Sequence, residues 1–282
     1  MTLEETLFGK KRSMLFRMDE ARIIKIYDPE IEIKDIINDC NTAKLLMKNG
    51  IPCVLSYELV RIQEAYGIIY HLPGVKTLGQ ILSEEPETMS YWAEVLVDFL
   101  CRAQRISVCE DVFAFADEVF LDWVQKDMGM SRSVPAKKLE QLLKKIPKEH
   151  SLVFGNLHCG NVLVWNGDLF LLDLNQIYIG HPIYGISKMF LTYELEQKGA
   201  NTSTIEKFGL TIGQTERFWK IFKEAYGRKE NWMHPLLPEL FGNMVFLSGV
   251  ISREEIPFRE KEEIIQYLTE GIIQIEAILP QE

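Results

Sequence analysis

The sequence predicts an α+β chain with a small β-rich first part and a larger, mainly helical second part. Three observations carry that prediction. The first seventy-odd residues hold short β-branched runs broken by one amphipathic stretch. From Pro86 onward, apolar residues recur at three- and four-residue spacing. One β-hairpin, centred on Asn166-Gly167, interrupts the helical part. The chain has 282 residues, which suits one large domain or two lobes.

Arg22–Tyr27 reads Arg-Ile-Ile-Lys-Ile-Tyr, a short β-branched run and so a strand. Asp28-Pro29 follows, with Asp28 as the expected N-cap and Pro29 as the first helical residue. The helix then runs through Ile33, Ile36, Ile37, Cys40 and Ala43. Gly50 is its expected stop, and Ile51-Pro52 prevents its continuation. Two further strands are expected at Ser56–Gln63 and Tyr66–Leu72, separated by Glu64-Ala65. Pro73-Gly74 marks a break in character. Residues 1–73 are therefore the expected N-terminal lobe, 74–85 a linker and 86–282 the helical C-terminal lobe. Within that lobe, Trp92, Val95, Leu96, Phe99, Leu100 and Ala103 trace one helix face, a core stripe. Further helices are expected near 112–128, 135–146, 182–198, 213–226, 235–251 and 258–278.

Composition narrows the functional classes. The net charge is −10, from 41 acidic and 31 basic side chains, and no basic cluster exceeds Lys10-Lys11-Arg12. A nucleic-acid binder displaces counterions with a basic face, so no nucleic-acid partner is expected. No apolar run approaches a membrane span, so no membrane partner is expected. The polar start with Glu4 and Glu5 is unlike a secretory leader. The five cysteines are odd in number and form no C-x-x-C, which reads as reduced thiols in a cytoplasmic protein. Nothing in the sequence fixes an oligomeric state.

The hairpin is the most informative stretch. If Trp165 and Asp168 flank the Asn-Gly turn as a pair, Asn161 falls opposite Leu172 and Asp173 is its diagonal neighbour, about 7–8 Å away. Two oxygen-bearing side chains then meet at the open end of the hairpin, a geometry that suits Mg²⁺, a hard cation that takes oxygen ligands.

Leu152-Val153-Phe154-Gly155-Asn156-Leu157-His158-Cys159-Gly160-Asn161 resembles the catalytic loop of the aminoglycoside/choline kinase-like phosphotransferases. Those proteins carry H-G-D-x-x-x-G-N there, followed by a hairpin and a metal aspartate. Here the loop 152–161, the Gly160-Asn161 ending, the hairpin 161–173 and Leu171-Leu172-Asp173 match in order and spacing. The resemblance extends over most of the chain. It implies a bilobal protein-kinase-like fold, with one helix in the β-rich lobe and the hairpin in the helical lobe. It also implies an ATP- and Mg²⁺-dependent transfer to a small-molecule hydroxyl. Lys25 resembles the strand lysine that holds the α/β-phosphates, and Asp39 the helix acid that braces it. Tyr70 and His71 end the strand that leads into the adenine-binding linker. Asn161 and Asp173 would be the metal ligands.

Three positions depart from that pattern. The catalytic aspartate is Asn156, the family histidine is Phe154, and the phosphate-covering loop reads Gly9-Lys10-Lys11-Arg12-Ser13 with no second glycine. An amide accepts a hydrogen bond but takes up no proton near neutral pH. The alternative reading is therefore a catalytically inactive pseudokinase, a nucleotide sensor or a scaffold for a protein partner. His158 is either a substitute base or a structural residue of the loop. His181, before Pro182 at an expected helix start, is either a capping or a catalytic residue. No G-x-S-x-G, H-E-x-x-H or complete G-x-G-x-x-G offers a rival.

Overall fold

The computed structural model describes residues 5–8, 13–106, 112–128, 134–195, 208–229, 237–251 and 258–278. The Gly9–Arg12 stretch of the expected phosphate loop lies outside them. The strands are β1 (Glu5–Phe8), β2 (Ser13–Arg17), β3 (Arg22–Tyr27), β4 (Glu58–Ile62), β5 (Ala65–His71), β6 (Lys76–Thr77), β7 (Ser151–Phe154), β8 (Val162–Trp165), β9 (Asp168–Leu171) and β10 (Ile177–Gly180). The first helices are α1 (Ile33–Lys48), α2 (Leu78–Glu84), α3 (Met89–Gln104), α4 (Ala116–Met128), α5 (Val134–Lys145) and α6 (Ile183–Phe190). Three more follow: α7 (Ile212–Lys229), α8 (Leu237–Ile251) and α9 (Phe258–Ile278). The chain divides into two compact units. The first is drawn from Met1–Phe99, Asn156–Asn175 and Ala200–Phe222; the second from Leu100–Gly155, Gln176–Gly199 and Lys223–Glu282.

The first unit contains an antiparallel sheet in the order β1-β2-β3-β5-β4. Lys25 pairs with Leu15 on one side and Ile68 on the other, and Ile23 pairs with Tyr70. Side chains alternate along a strand, so Leu15, Ile23, Lys25, Tyr27, Ile68 and Tyr70 share one face. That face forms a core with Ile36 of α1, Val54, Leu163 and Leu172. The β4–β5 turn is Gln63-Glu64 rather than Glu64-Ala65. Gln63 adopts a positive φ of 54°, and Ala65 is already paired with Ile62.

Helix α1 ends as the sequence predicts and begins later. At its C-terminus Gly50 has a φ of +81°, Gly50 N–H donates to the Met47 carbonyl and Ile51 N–H to the Leu46 carbonyl. This is a Schellman closure, which favours glycine at the left-handed position. The expected N-cap, Asp28, is committed elsewhere: its Oδ1 accepts from Glu30 N–H at 2.9 Å and its carbonyl from Ile31 N–H at 2.9 Å. Asp28-Pro29 is thus a turn of its own, and the helix starts four residues later, at Ile33, behind Glu32.

The segment expected as a linker, 74–85, holds β6 and α2. Thr77 Oγ1 accepts from Gln80 N–H at 3.1 Å, and Gln80 Oε1 accepts from Thr77 N–H at 2.8 Å, a reciprocal capping box. Gly79 lies so close to Phe208 that a Cβ there would stand 1.6 Å from the Phe208 carbonyl oxygen.

The hairpin β8–β9 has the expected register, Trp165 opposite Asp168 and Val162 opposite Leu171. Asn166 (φ 52°) and Gly167 (φ 84°) form its turn. At the open end, Leu172 N–H donates to the Asn161 carbonyl at 3.0 Å. The hairpin is tied to the chain after α1: Leu171 N–H donates to the Pro52 carbonyl at 3.0 Å and Val54 N–H to the Leu171 carbonyl at 2.9 Å. Those bonds hold the residues after β9 against the face that carries Lys25.

In the second unit, Phe120 of α4, Tyr184 of α6 and Phe241 of α8 pack ring against ring, with centroids 4.8–6.0 Å apart. Leu139 and Leu142 of α5 and Leu268 and Ile272 of α9 close that core. Strands β7 and β10, which the periodicity did not reveal, pair antiparallel from Phe154–Ile177 to Ser151–Gly180. Phe154 is a buried strand residue here. Beyond α6 the helix loosens into a π-turn at Leu191–Leu195. No helix among the described residues is long and apolar enough to cross a membrane.

Candidate functional site

The loop after Gly155 enters the first unit at Asn156 and turns back on itself. His158 Nδ1 accepts from Gly160 N–H at 3.2 Å, and Asn161 N–H donates to the His158 carbonyl at 2.8 Å. The ring of His158 is buried and packs on Phe208, with centroids 5.1 Å apart. Its acceptor nitrogen is therefore engaged in shaping the loop, the structural of its two expected roles. The short 3₁₀ turn Cys159–Asn161 brings the Asn161 amide back to the start of the loop. There its Nδ2 donates to the Asn156 carbonyl at 3.0 Å.

Asp173 is the centre of the arrangement. Its Oδ1 faces the Lys25 ammonium at 3.4 Å and accepts from Asn175 Nδ2 at 2.6 Å and Asn175 N–H at 3.3 Å. Its Oδ2 accepts from Asn156 Nδ2 at 3.1 Å. An ionised carboxylate only accepts, so Asn156 must present its nitrogen to Asp173 and keep Oδ1 as a spare acceptor. Likewise Asn161 donates to a carbonyl through Nδ2 and keeps its own Oδ1.

Lys25 is 4% exposed, a degree of burial rare for lysine without a partner. Asp173 is its ion-pair partner, and the ammonium also stands 5.0 Å from the centroid of the Tyr27 ring. Asp39 is reached through that same tyrosine, whose hydroxyl donates to Asp39 Oδ2 at 3.3 Å. Lys25, Tyr27, Asp39, Cys40, Tyr70 and Leu172 line a small pocket. Burial raises the Tyr27 and Tyr70 phenols well above the usual tyrosine range, with Tyr70 and then Asp39 adding to it at Tyr27, and Cys40 and then Asp39 at Tyr70. Both stay neutral, and Tyr27 donates to Asp39. Burial also raises the Cys40 thiol, with Asp39 adding to the effect and Lys25 opposing it.

The structure thus brings together Lys25, Asn156, Asn161 and Asp173, with Asp39 and Tyr70 on the same pocket wall. His71 stands apart. Strand alternation puts its side chain on the opposite face of the sheet, exposed and 2.8 Å from Glu58. Two participants escaped the sequence reading, Tyr27 and Asn175. The second had a signal, an Asp-x-Asn following an apolar strand, where the asparagine folds back on the aspartate.

Magnesium is the metal that the resemblance implies. Asp173 Oδ2 carries one donor and so retains an acceptor position, and Asn161 Oδ1 is a second oxygen. Among the described residues no three His, Cys, Asp or Glu side chains cluster as a metal site. Two protein oxygens fit Mg²⁺, which keeps waters and takes phosphate oxygens for its remaining positions. The fit is in atom type more than in charge, since the single carboxylate is already balanced by Lys25.

No protein-family model matches the sequence, and no curated protein matches it. Solved structures do. A choline/ethanolamine kinase family protein from Mesorhizobium loti aligns with a TM-score of 0.55 at 13% identity, over 98% of this chain and 88% of that one. A thermostable mutant of the aminoglycoside phosphotransferase APH(4)-Ia, in its apo form, aligns with a TM-score of 0.56 at 10% identity, over 98% and 94%. The streptomycin-ATP-APH(2″)-IIa ternary complex aligns with a TM-score of 0.51 at 15% identity, over 96% and 92%. The chain has the fold of these phosphotransferases. That agrees with the kinase-like α+β architecture expected from the loop 152–161 and the hairpin behind it.

Proposed function

We propose that the chain binds a nucleoside triphosphate beside Lys25 and Asp173 and passes its terminal phosphoryl group to a small-molecule hydroxyl. The observation that carries this reading is the buried Lys25–Asp173 pair, which joins residues 148 positions apart at the end of the predicted hairpin. A lysine ammonium has three donors, and Asp173 takes one, so two N–H groups remain for phosphate oxygens. The Tyr27 ring lies 5.0 Å from the ammonium and its hydroxyl engages Asp39, and Tyr70 walls the pocket. Mg²⁺ accompanying the nucleotide would neutralise phosphate charge, and Asp173 Oδ2 with Asn161 Oδ1 are the oxygens that would hold it.

Asn156 Oδ1 orients the acceptor hydroxyl. It does not remove the proton, which leaves late, to the transferred phosphoryl group or to water, as the new O–P bond forms and the old one breaks. A loose phosphoryl-transfer transition state demands little early deprotonation, and the absent base costs about 10²–10⁴-fold in rate. The Asn156–Asp173 hydrogen bond also favours a second reading, a nucleotide-binding pseudokinase that transfers nothing. An ADP-release assay over hydroxyl-bearing acceptors, run beside thermal unfolding with ATP, separates the two. Turnover lost in Asp173→Ala supports transfer. An ATP-dependent rise in midpoint without turnover supports the sensor. Neither signal refutes both.

A further inference from the structure

The contacts of Asp173 point to a role for Asn156 that is distinct from orienting an acceptor. We propose that Asn156 is a positioning clamp that occupies the cation side of Asp173, so that this site binds the phosphates of a nucleotide largely without a divalent cation. The inference rests on the nucleotide reading of the site and goes beyond it.

The donor count on Asp173 carries the argument. Oδ1 takes Lys25 Nζ and both nitrogens of Asn175, and Oδ2 takes Asn156 Nδ2. Four protein N–H groups thus already bond a carboxylate whose side chain is 17% exposed, and a single acceptor position remains on Oδ2. The Asn156 position has the spacing of a metal ligand. Oxygens bound side by side on Mg²⁺ at 2.0–2.1 Å lie about 3 Å apart, and Asn156 Nδ2 is 3.1 Å from Asp173 Oδ2. A carboxylate oxygen in its place would repel Asp173 unless a cation stood between them. An amide N–H there is attracted without one.

Lys25 is the positive group that faces Asp173, Asn156 and Asn161 are neutral, and Asp39 on the same pocket wall is engaged by the Tyr27 hydroxyl. The resident positive group for phosphate is therefore the buried Lys25 ammonium. Asn161 supports the clamp from behind by donating to the Asn156 carbonyl at 3.0 Å. Replacing Asn156 by aspartate should convert a cation-indifferent site into a cation-requiring one.

The test is ATP affinity measured by calorimetry in excess EDTA and in excess Mg²⁺, for the wild type, Asn156→Asp and Asn156→Ala. A separate arm titrates Mn²⁺ alone, followed by its paramagnetic resonance signal. The clamp predicts wild-type affinities within about threefold in the two buffers, and a Mg²⁺ preference above about tenfold in Asn156→Asp. It also predicts Mn²⁺ binding by Asn156→Asp that is at least about tenfold tighter than by the wild type. Asn156→Ala guards against a variant that fails to fold. It frees Oδ2 without adding charge, and its Mg²⁺ preference should exceed that of the wild type. Wild-type ATP binding that disappears in EDTA overturns the clamp, as does equal Mn²⁺ binding by wild type and Asn156→Asp. ATP binding in neither buffer overturns the nucleotide reading, while the manganese arm still decides the clamp.

Discussion

Replacing Asp173 by alanine leaves the Lys25 ammonium buried without its counter-ion and strands the amides of Asn156 and Asn175. Removing one partner of a buried pair costs about 3–5 kcal/mol, because the remaining charge stays desolvated. The 3.4 Å separation and the partial exposure of Asp173 place this case near the lower end, at about 3 kcal/mol. Lys25→Met is milder. Asp173 then keeps its three amide donors, and the loss is about 1 kcal/mol, close to one net hydrogen bond. The double variant Lys25→Met/Asp173→Ala should cost less than the two single changes together, by about 1–2 kcal/mol, since residues in one network are coupled. Urea unfolding at pH 7 measures all four proteins. Additive costs, or an Asp173→Ala change below about 0.5 kcal/mol, would refute the claim that Asp173 neutralises a buried lysine.

Two further predictions concern other parts of the fold. His181 is buried, its Nδ1 accepts from Ile183 N–H at 3.2 Å at the start of α6, and burial pushes its pKa down to about 4. That contact is of the capping kind, one of the two roles, capping or catalytic, expected from its place before Pro182. A depressed folded-state pKa gives stability that is present above the unfolded value of about 6.5 and lost as pH falls towards 4. The loss is at most about 3 kcal/mol, and the Glu149 carboxylate, 3.3 Å from Nε2, works to reduce it. Urea unfolding across that range should show the slope and His181→Gln should lack it; an NMR titration of His181 near 6.5 would contradict the assignment. Gly79→Ala would place a methyl against the Phe208 carbonyl oxygen, and overpacking of this kind costs about 1–3 kcal/mol or more. A thermal midpoint unchanged in Gly79→Ala would show that α2 does not pack on Phe208 as described.

Local signals in the sequence were legible where one residue type answers one backbone demand. Asn166-Gly167 fixed the hairpin register to the residue, and from it the placing of Leu172, beside Asp173, opposite Asn161 followed. Gly50 fixed the end of α1. Competition between local options hid the start of that helix, because Asp28 caps its own turn before the helix begins. Helix α2 has seven residues, too few for a period to show, and its Thr77–Gln80 capping box was the readable signal. Strands β7 and β10 have four residues each and are paired across more than twenty positions of chain, a relation that no local pattern encodes. Of the residues gathered around Asp173, the loop and hairpin motif singled out Asn156, Asn161 and Asp173, and the strand Ile24-Lys25-Ile26 singled out Lys25. The mediation of Asp39 through Tyr27 required the side-chain geometry. His71 shows the limit of motif transfer. A position at a strand end was assigned without its face, and alternation turned its side chain away from Lys25.

One calorimetric titration tests the phosphate site most directly, ATP into the wild-type protein and into Lys25→Met. Saturable binding at one site is expected, weakened at least about tenfold when the buried ammonium is removed. Absence of binding to the wild type, or equal binding to both proteins, would contradict a phosphate site at Lys25.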